Sequence, residues 1–301
     1  MFRKTLGILV SLSVVISTAA AGETSSSPVN LSAAAIADRN VSARGGLQAW
    51  RAVQTMSFAG KLTAGGNQRT ALPVPLPDRR ASQRSSKTLF PTRPSEETQL
   101  PFVLELERTR KMRMELQFNG QTAIQVFDGA NGWKVRPFLN RREVEPYTRE
   151  EMKASSLQAD LDGYLVDYAA KGTQIELAGK EKVEDRDAYK LKLTTKDGQA
   201  LHIWIDAQTF LETKVEGQPR RLDGVYHPVE VYYRDYRPVN GLQIPHVLET
   251  RVLPVAQSAA GARQGSLVQA EKIVIDKVVV NPKLQESRFT KPQIAAAPKA
   301  K

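Results

Sequence analysis

Apolar and polar residues alternate along most of this chain, and the alternation predicts strands. Met56, Phe58 and Leu62 alternate with Ser57, Ala59 and Lys61. Met112, Met114, Leu116 and Phe118 face one way, while Arg113, Glu115 and Gln117 face the other. Successive side chains leave opposite faces of a sheet, so this period of two marks half-buried strands. Asn119-Gly120 is a strong two-residue hairpin signal leading into Ile124 and Val126, and Asp128–Gly132 turns the chain again into Trp133 and Val135. Tyr189, Leu191 and Leu193 alternate with Lys190 and Lys192, and Asp197-Gly198 turns into Leu201, Ile203 and Ile205. Four more candidate strands follow at Phe210–Glu216, Val229–Tyr236, Gln243–Leu253 and Leu267–Val280, with a turn at Asn240-Gly241. Roughly ten to twelve strands joined by short polar turns predict a mainly β (α+β) protein built on an antiparallel barrel or curved sheet.

Helical signals are few. Ser32 is an N-cap for a short helix running to about Arg44, where Gly45-Gly46 stops it, and Leu47 to Val53 forms a second helical turn carrying Trp50. Thr148 with Glu151 makes a capping box, after which Leu157, Leu161, Tyr164, Leu165 and Tyr168 recur at helical spacing. Asp160, Asp162 and Asp167 fall on the other side and read as its wet face, with Gly163 as a bend. This helix, or helix pair, is expected to cover the sheet as a lid near Met112, Met114 and Tyr189.

The remaining segments set the boundaries. Arg3 and Lys4, the apolar run from Leu6 to Ile16 and Ala19-Ala20-Ala21 read as a signal peptide over residues 1–21. Residues 22–31 read as a mobile tail, 32–291 as one domain and 292–301 as a flexible tail. Within the domain, residues 64–101 carry Pro73, Pro75, Pro77, Pro91, Pro94 and Pro101 among arginines and serines. That composition predicts a loop insertion rather than a strand.

Composition narrows the chemistry. The 301 residues are 41% hydrophobic, enough for a sizeable core, and include no cysteine. A disulfide framework, a thiol nucleophile, a cysteine zinc site and a cysteine-linked lipid are thereby excluded. The three histidines, His202, His227 and His246, show no metal spacing. No catalytic residue, metal site or cofactor is expected. Asp160-Leu161-Asp162-Gly163 lacks the further ligands of a calcium loop. Removing Arg3 and Lys4 leaves 41 basic against 32 acidic residues, a net charge of +9. The basic residues are dispersed on strand faces, which argues against nucleic acid as a partner. What remains is apolar surface: Met112, Met114, Leu116, Phe118, Trp133, Tyr189, Leu191, Leu193, Ile203, Ile205 and Tyr233 are the candidate lining of an apolar cavity.

Several stretches carry a family likeness. Asn40–Trp50 followed by Met56–Lys61 resembles the start of exported proteins of the outer-membrane lipoprotein-sorting type. Tyr189–Thr195, Ile203–Phe210, Asp235–Pro245 and Val278–Leu284 through Phe289 are similar to the later strands of that group. The resemblance implies a curved antiparallel half-barrel with helices covering its concave face. It also implies a monomeric, non-enzymatic periplasmic carrier whose cavity holds lipid acyl chains or a lipoprotein, with an envelope or outer-membrane acceptor protein as a partner. No transmembrane span is expected in the mature chain. The competing reading is a cell-envelope sensory or scaffold domain that binds another protein with the same fold.

Overall fold

Tight turns dictate the topology. The computed structural model describes residues 31–65, 97–137, 141–222, 225–255 and 268–293. The signal-peptide reading, nearly all of the 22–31 tail, most of the proline-rich insertion and most of the final tail lie outside the described residues. From the N-terminal side run helix α1 (Ala33–Ala43), helix α2 (Leu47–Arg51) and strands β1 (Thr55–Gly65), β2 (Glu97–Glu107), β3 (Lys111–Phe118), β4 (Gln121–Phe127), β5 (Gly132–Arg136) and β6 (Arg141–Pro146). After helix α3 (Arg149–Gln158) come β7 (Gln174–Val183), β8 (Arg186–Thr194), β9 (Ala200–Asp206), β10 (Glu212–Leu222), β11 (Val225–Val239), β12 (Leu242–Val252) and β13 (Val268–Val280). They form one antiparallel sheet of thirteen strands, somewhat more than the ten to twelve expected, in the order β6-β5-β4-β3-β2-β1-β13-β12-β11-β10-β9-β8-β7.

Two meanders therefore meet at a central seam, β1 against β13, and the free edges are β6 and β7. These edge strands are neighbours in sequence. In a flat sheet, strands about 4.8 Å apart would put the two edges about 58 Å from each other. One connector, residues 147–173, must span that gap, and α3 takes up ten of its residues in about 15 Å of length. Curvature into an open half-barrel brings the edges within reach, and the connector then crosses the concave side.

The helices start where their caps predict. Ser32 Oγ accepts from Ala35 N at 3.1 Å, and Thr148 and Glu151 form the reciprocal capping box. The expected long lid helix, however, ends at Gln158. Residues 159–173 run through turns, with positive φ at Gly163 (78°) and Asp167 (51°). Helical spacing of apolar residues there did not make a helix, because Asp and Gly are poor helix formers and the polar groups found outside partners. A second correction concerns β2, which begins at Glu97 inside the stretch read as loop and includes Pro101. Pro101 pairs with Lys61 on β1, but pairing with β3 starts only at Phe102, so its missing N–H falls at the border of that ladder.

Register puts a long series of apolar positions on one face. Met112, Leu106, Met56 and Val280 share it, as do Leu100, Leu62, Ile273, Leu248 and Tyr233. Tyr189, Leu191, Leu193, Ile203, Ile205 and Val215 continue the same face toward β7. The helices lie on this side: Asn40 of α1 donates to the Phe210 carbonyl at 2.8 Å, and Phe210 stacks on Tyr189 with centroids 6.1 Å apart. At the seam, β13 bulges at Asp276, opposite Ala59 and Gly60 of β1. A Cβ on Gly60 would fall 2.0 Å from the Val274 carbonyl oxygen. Gly60→Ala is expected to cost at least about 2 kcal/mol of stability, read as a lower urea midpoint.

The opposite, convex face is covered differently on its two halves. Over β2 and β3 the C-terminal segment lies across it: Arg288 pairs with Glu105 at 2.5 Å and with Glu115 at 3.1 Å, and Phe289 is buried. Over β8 to β12, two aromatic rings are roofed by long cationic side chains. The Lys214 ammonium sits 3.9 Å from the Trp204 centroid, and the Arg251 guanidinium 4.1 Å from that of Tyr232. Their stems exclude water from the rings while Glu230 pairs with Lys214 and Glu249 with Arg251. Glu184, bonded by Arg234 and Arg251, has its carboxyl held down to about 2. A depressed carboxylate stabilises the fold above its ordinary value and loses that contribution as pH falls through the depressed one. Glu184→Gln should therefore flatten the acid limb of the stability curve between about pH 4 and pH 2. Its side chain is 45% exposed, so screening limits the effect to about 1 kcal/mol.

Candidate functional site

On the concave face sealed and half-covered rows alternate. At one end Met56, Leu106 and Met112 are at most 5% exposed. This is the end where Arg108 ties the sheet to α2 and the connector. Next along the strands, Met114, Leu104, Phe58 and Val278 share a row and are all half-buried. Further toward the β1–β2 and β12–β13 hairpin ends, Leu100, Leu62, Ile273, Leu248 and Tyr233 form a second row across five strands, again half-buried. Between these two rows lies a third, Leu116, Phe102, Gly60 and Ile275, in which Phe102 and Ile275 are buried, so the apolar face is covered unevenly. The half-covered rows are aliphatic and aromatic.

The expected lining residues divide on this map. Met114, Leu116, Phe118, Tyr189 and Tyr233 are half-buried on the concave face. Leu191, Leu193, Ile203 and Ile205 share the face but are at most 1% exposed, and Met112 is 2% exposed, so these five are packed core. Trp133 is a correction. It pairs with Val126, which pairs with Arg113, so it stands on the convex face. The turn at Asp128–Asn131 sets Gly132 opposite Phe127, and that register sends the tryptophan outward.

The connector carries the expected lid residues without a common helix. Leu157 is half-buried at the end of α3, Leu161 and Leu165 are buried, and Tyr164 and Tyr168 are half-buried in the turns beyond. What fixes the segment is ionic. Asp162, only 2% exposed, accepts from Arg108 Nη1 at 2.7 Å and from Lys171 Nζ at 2.6 Å. Arg108 also donates to the carbonyls of Val53 at 2.8 Å and Trp50 at 2.7 Å, and Lys171 reaches Asp160 at 2.9 Å. Arg44, its guanidinium 4.2 Å over the Trp50 ring, donates to the Asp162 carbonyl at 3.0 Å and pairs with Glu212 at 3.3 Å. The reading of Asp160 and Asp162 as a wet helix face is thus overturned, because the helix stops and both carboxylates turn inward to cations. Burial pushes the Asp160 carboxyl up. Burial pushes Asp162 up too, but hydrogen bonds from Asp160, Lys171 and Arg108 outweigh it and hold Asp162 below the usual range.

Sequence reasoning missed Arg44, Arg108 and Lys171, since a lone basic residue in a turn carries no pattern. It also missed the concave-face residues Leu100, Leu248 and Ile273. The last two fell inside recognised strands without being assigned a face, and Leu100 was hidden by the prolines before it.

No family model and no curated protein matches the chain. Among solved structures it is similar to a LolA superfamily protein from Nitrosomonas europaea, at 13% identity and a TM-score of 0.50, covering 87% of this chain and 98% of that one. It is equally similar to a putative outer membrane lipoprotein-sorting protein domain from Vibrio parahaemolyticus, at 12% identity and a TM-score of 0.50, covering 86% and 96% of the two chains. Among the described residues, no helix is long and apolar enough to cross a membrane. With its open thirteen-stranded sheet and helices on the concave side, the chain has the half-barrel fold of the LolA superfamily and lipoprotein-sorting structures.

Proposed function

We propose that this protein is a non-enzymatic periplasmic carrier that holds the acyl chains of a lipid or lipoprotein in the groove of its half-barrel. The half-buried apolar rows from β3 across the seam to β11 are the observation that carries this reading. Burying methylenes is worth about 0.8 kcal/mol each, so roughly eight of them supply about 6 kcal/mol without any covalent chemistry. The likeness to lipoprotein-sorting structures supports the same reading at the level of fold. The signal-peptide signature of residues 1–21 supports export, and the connector that crosses the concave side is the natural cover for a bound chain.

The mature chain, purified from the envelope without detergent, is expected to carry stoichiometric acyl lipid in an organic extract analysed by mass spectrometry. An extract free of lipid, together with no binding of added lipid, would overturn the proposal. Capture of one stoichiometric envelope protein by a lipid-free chain would instead favour the scaffold reading.

A further inference from the structure

At the hairpin end of the groove, Arg220 of β10 and Glu271 of β13 form a two-pronged ion pair, both N–O distances 2.6 Å. Two complete strands, β11 and β12, separate them in the sheet. Register places both on the concave face. Glu271 pairs with Thr250, two residues from Leu248, and Arg220 pairs with His227, two residues from Val229 on the same face as Val231. The pair is thus a strap lying over the groove, just beyond the row of Leu62, Ile273 and Leu248.

The strap is built to exchange. Its two side chains are 40% and 39% exposed, so water reaches both and little desolvation holds them together. A guanidinium fork fits a carboxylate and a phosphate equally well, through two parallel N–H···O bonds. Ile273 lies two residues along β13 from Glu271, about 7 Å, a gap that a glycerol backbone fills. The net charge of +9 on the chain without Arg3 and Lys4 (41 basic against 32 acidic residues) adds a long-range attraction for anions.

Building on the carrier reading, we infer that Arg220 is the head-group anchor of the groove. It takes the phosphate of an anionic phospholipid whose acyl chain lies along Leu248, Ile273 and Leu62, and Glu271 occupies the anchor when the groove is empty. Glu271 is then a built-in competitor that sets the affinity, and it releases the cargo when it takes Arg220 back.

The test is displacement of a fluorescent fatty-acyl probe from the full mature chain by phosphatidylglycerol or by diacylglycerol, which lacks the phosphate. Wild type should prefer phosphatidylglycerol. Arg220→Gln should lose about tenfold in affinity for it, with diacylglycerol unchanged, and Glu271→Gln should gain several-fold. Arg220→Glu combined with Glu271→Arg keeps a strap but should lose the preference, and a thermal melt of each variant checks its fold. Equal displacement by both lipids in wild type overturns the anchor. So does a Glu271→Gln variant weakened as much as Arg220→Gln, which would make the pair a brace, and so does a charge swap that keeps the preference. Failure of wild type to bind either lipid overturns the carrier reading itself, a distinct outcome.

Discussion

Arg108→Ala is expected to lower the thermal midpoint by about 10 °C. One side chain here satisfies three acceptors: the Asp162 carboxylate and the carbonyls of Val53 and Trp50. Removing one partner of a buried ion pair costs about 3–5 kcal/mol, because the remaining charge keeps its desolvation penalty. Lys171 still contacts Asp162, and Arg108 itself is 31% exposed, so the lower end of that range, about 3 kcal/mol, is the expected loss. For a folded body of this size that corresponds to about 6–12 °C. Arg108→Lys should recover little, since an ammonium cannot reach three acceptors fixed in a fan. Scanning calorimetry of both variants checks this; a shift under 2 °C for Arg108→Ala would show that the connector is held by packing alone.

The second large effect separates groove from core. Leu62→Asp and Leu248→Asp alter half-buried positions in the row that floors the groove. The new carboxylates can reach water there, so the fold should survive while acyl-lipid retention falls to background. Leu191→Asp, on the same face but completely buried, should unfold the chain, since an unpaired charge with no route to water costs several kcal/mol. Circular dichroism measured alongside lipid content distinguishes the outcomes. Full lipid retention in both groove variants would remove the groove as the binding site.

The fold was largely legible because alternation and turn residues are local signals. Asn119-Gly120, Asn240-Gly241 and the capping box at Thr148 each act over two to four residues, and each lies where the sequence places it. The face of a residue is legible only when the register of its hairpin is, and for Trp133 the β4–β5 turn set a register the letters do not carry. The connector failed for a different reason. Leu161, Leu165 and Tyr168 have helical spacing, yet Asp162 gains more from Arg108, Arg44 and Lys171 than a helix could return. Those cations come from residues 44, 108 and 171, and no window of sequence contains the constellation. Openness was equally hidden: Leu193 and Leu62 look alike as letters, and only the packing above them makes one core and the other floor.

The seam between β1 and β13 has a kinetic consequence. Met56 finds Val280, and Thr63 finds Lys272, across nearly the whole length of the domain. Contacts so distant in sequence close slowly, since the chain entropy must be lost before any bond rewards it. Until the seam closes, the two meanders expose the bare edges of β1 and β13, the edges most prone to pair with a neighbouring chain. Closing the seam is then the docking of two half-sheets edge to edge. The refolding rate should therefore respond to substitutions in β13, such as Ile275→Ala, more than to equal losses of stability in β8.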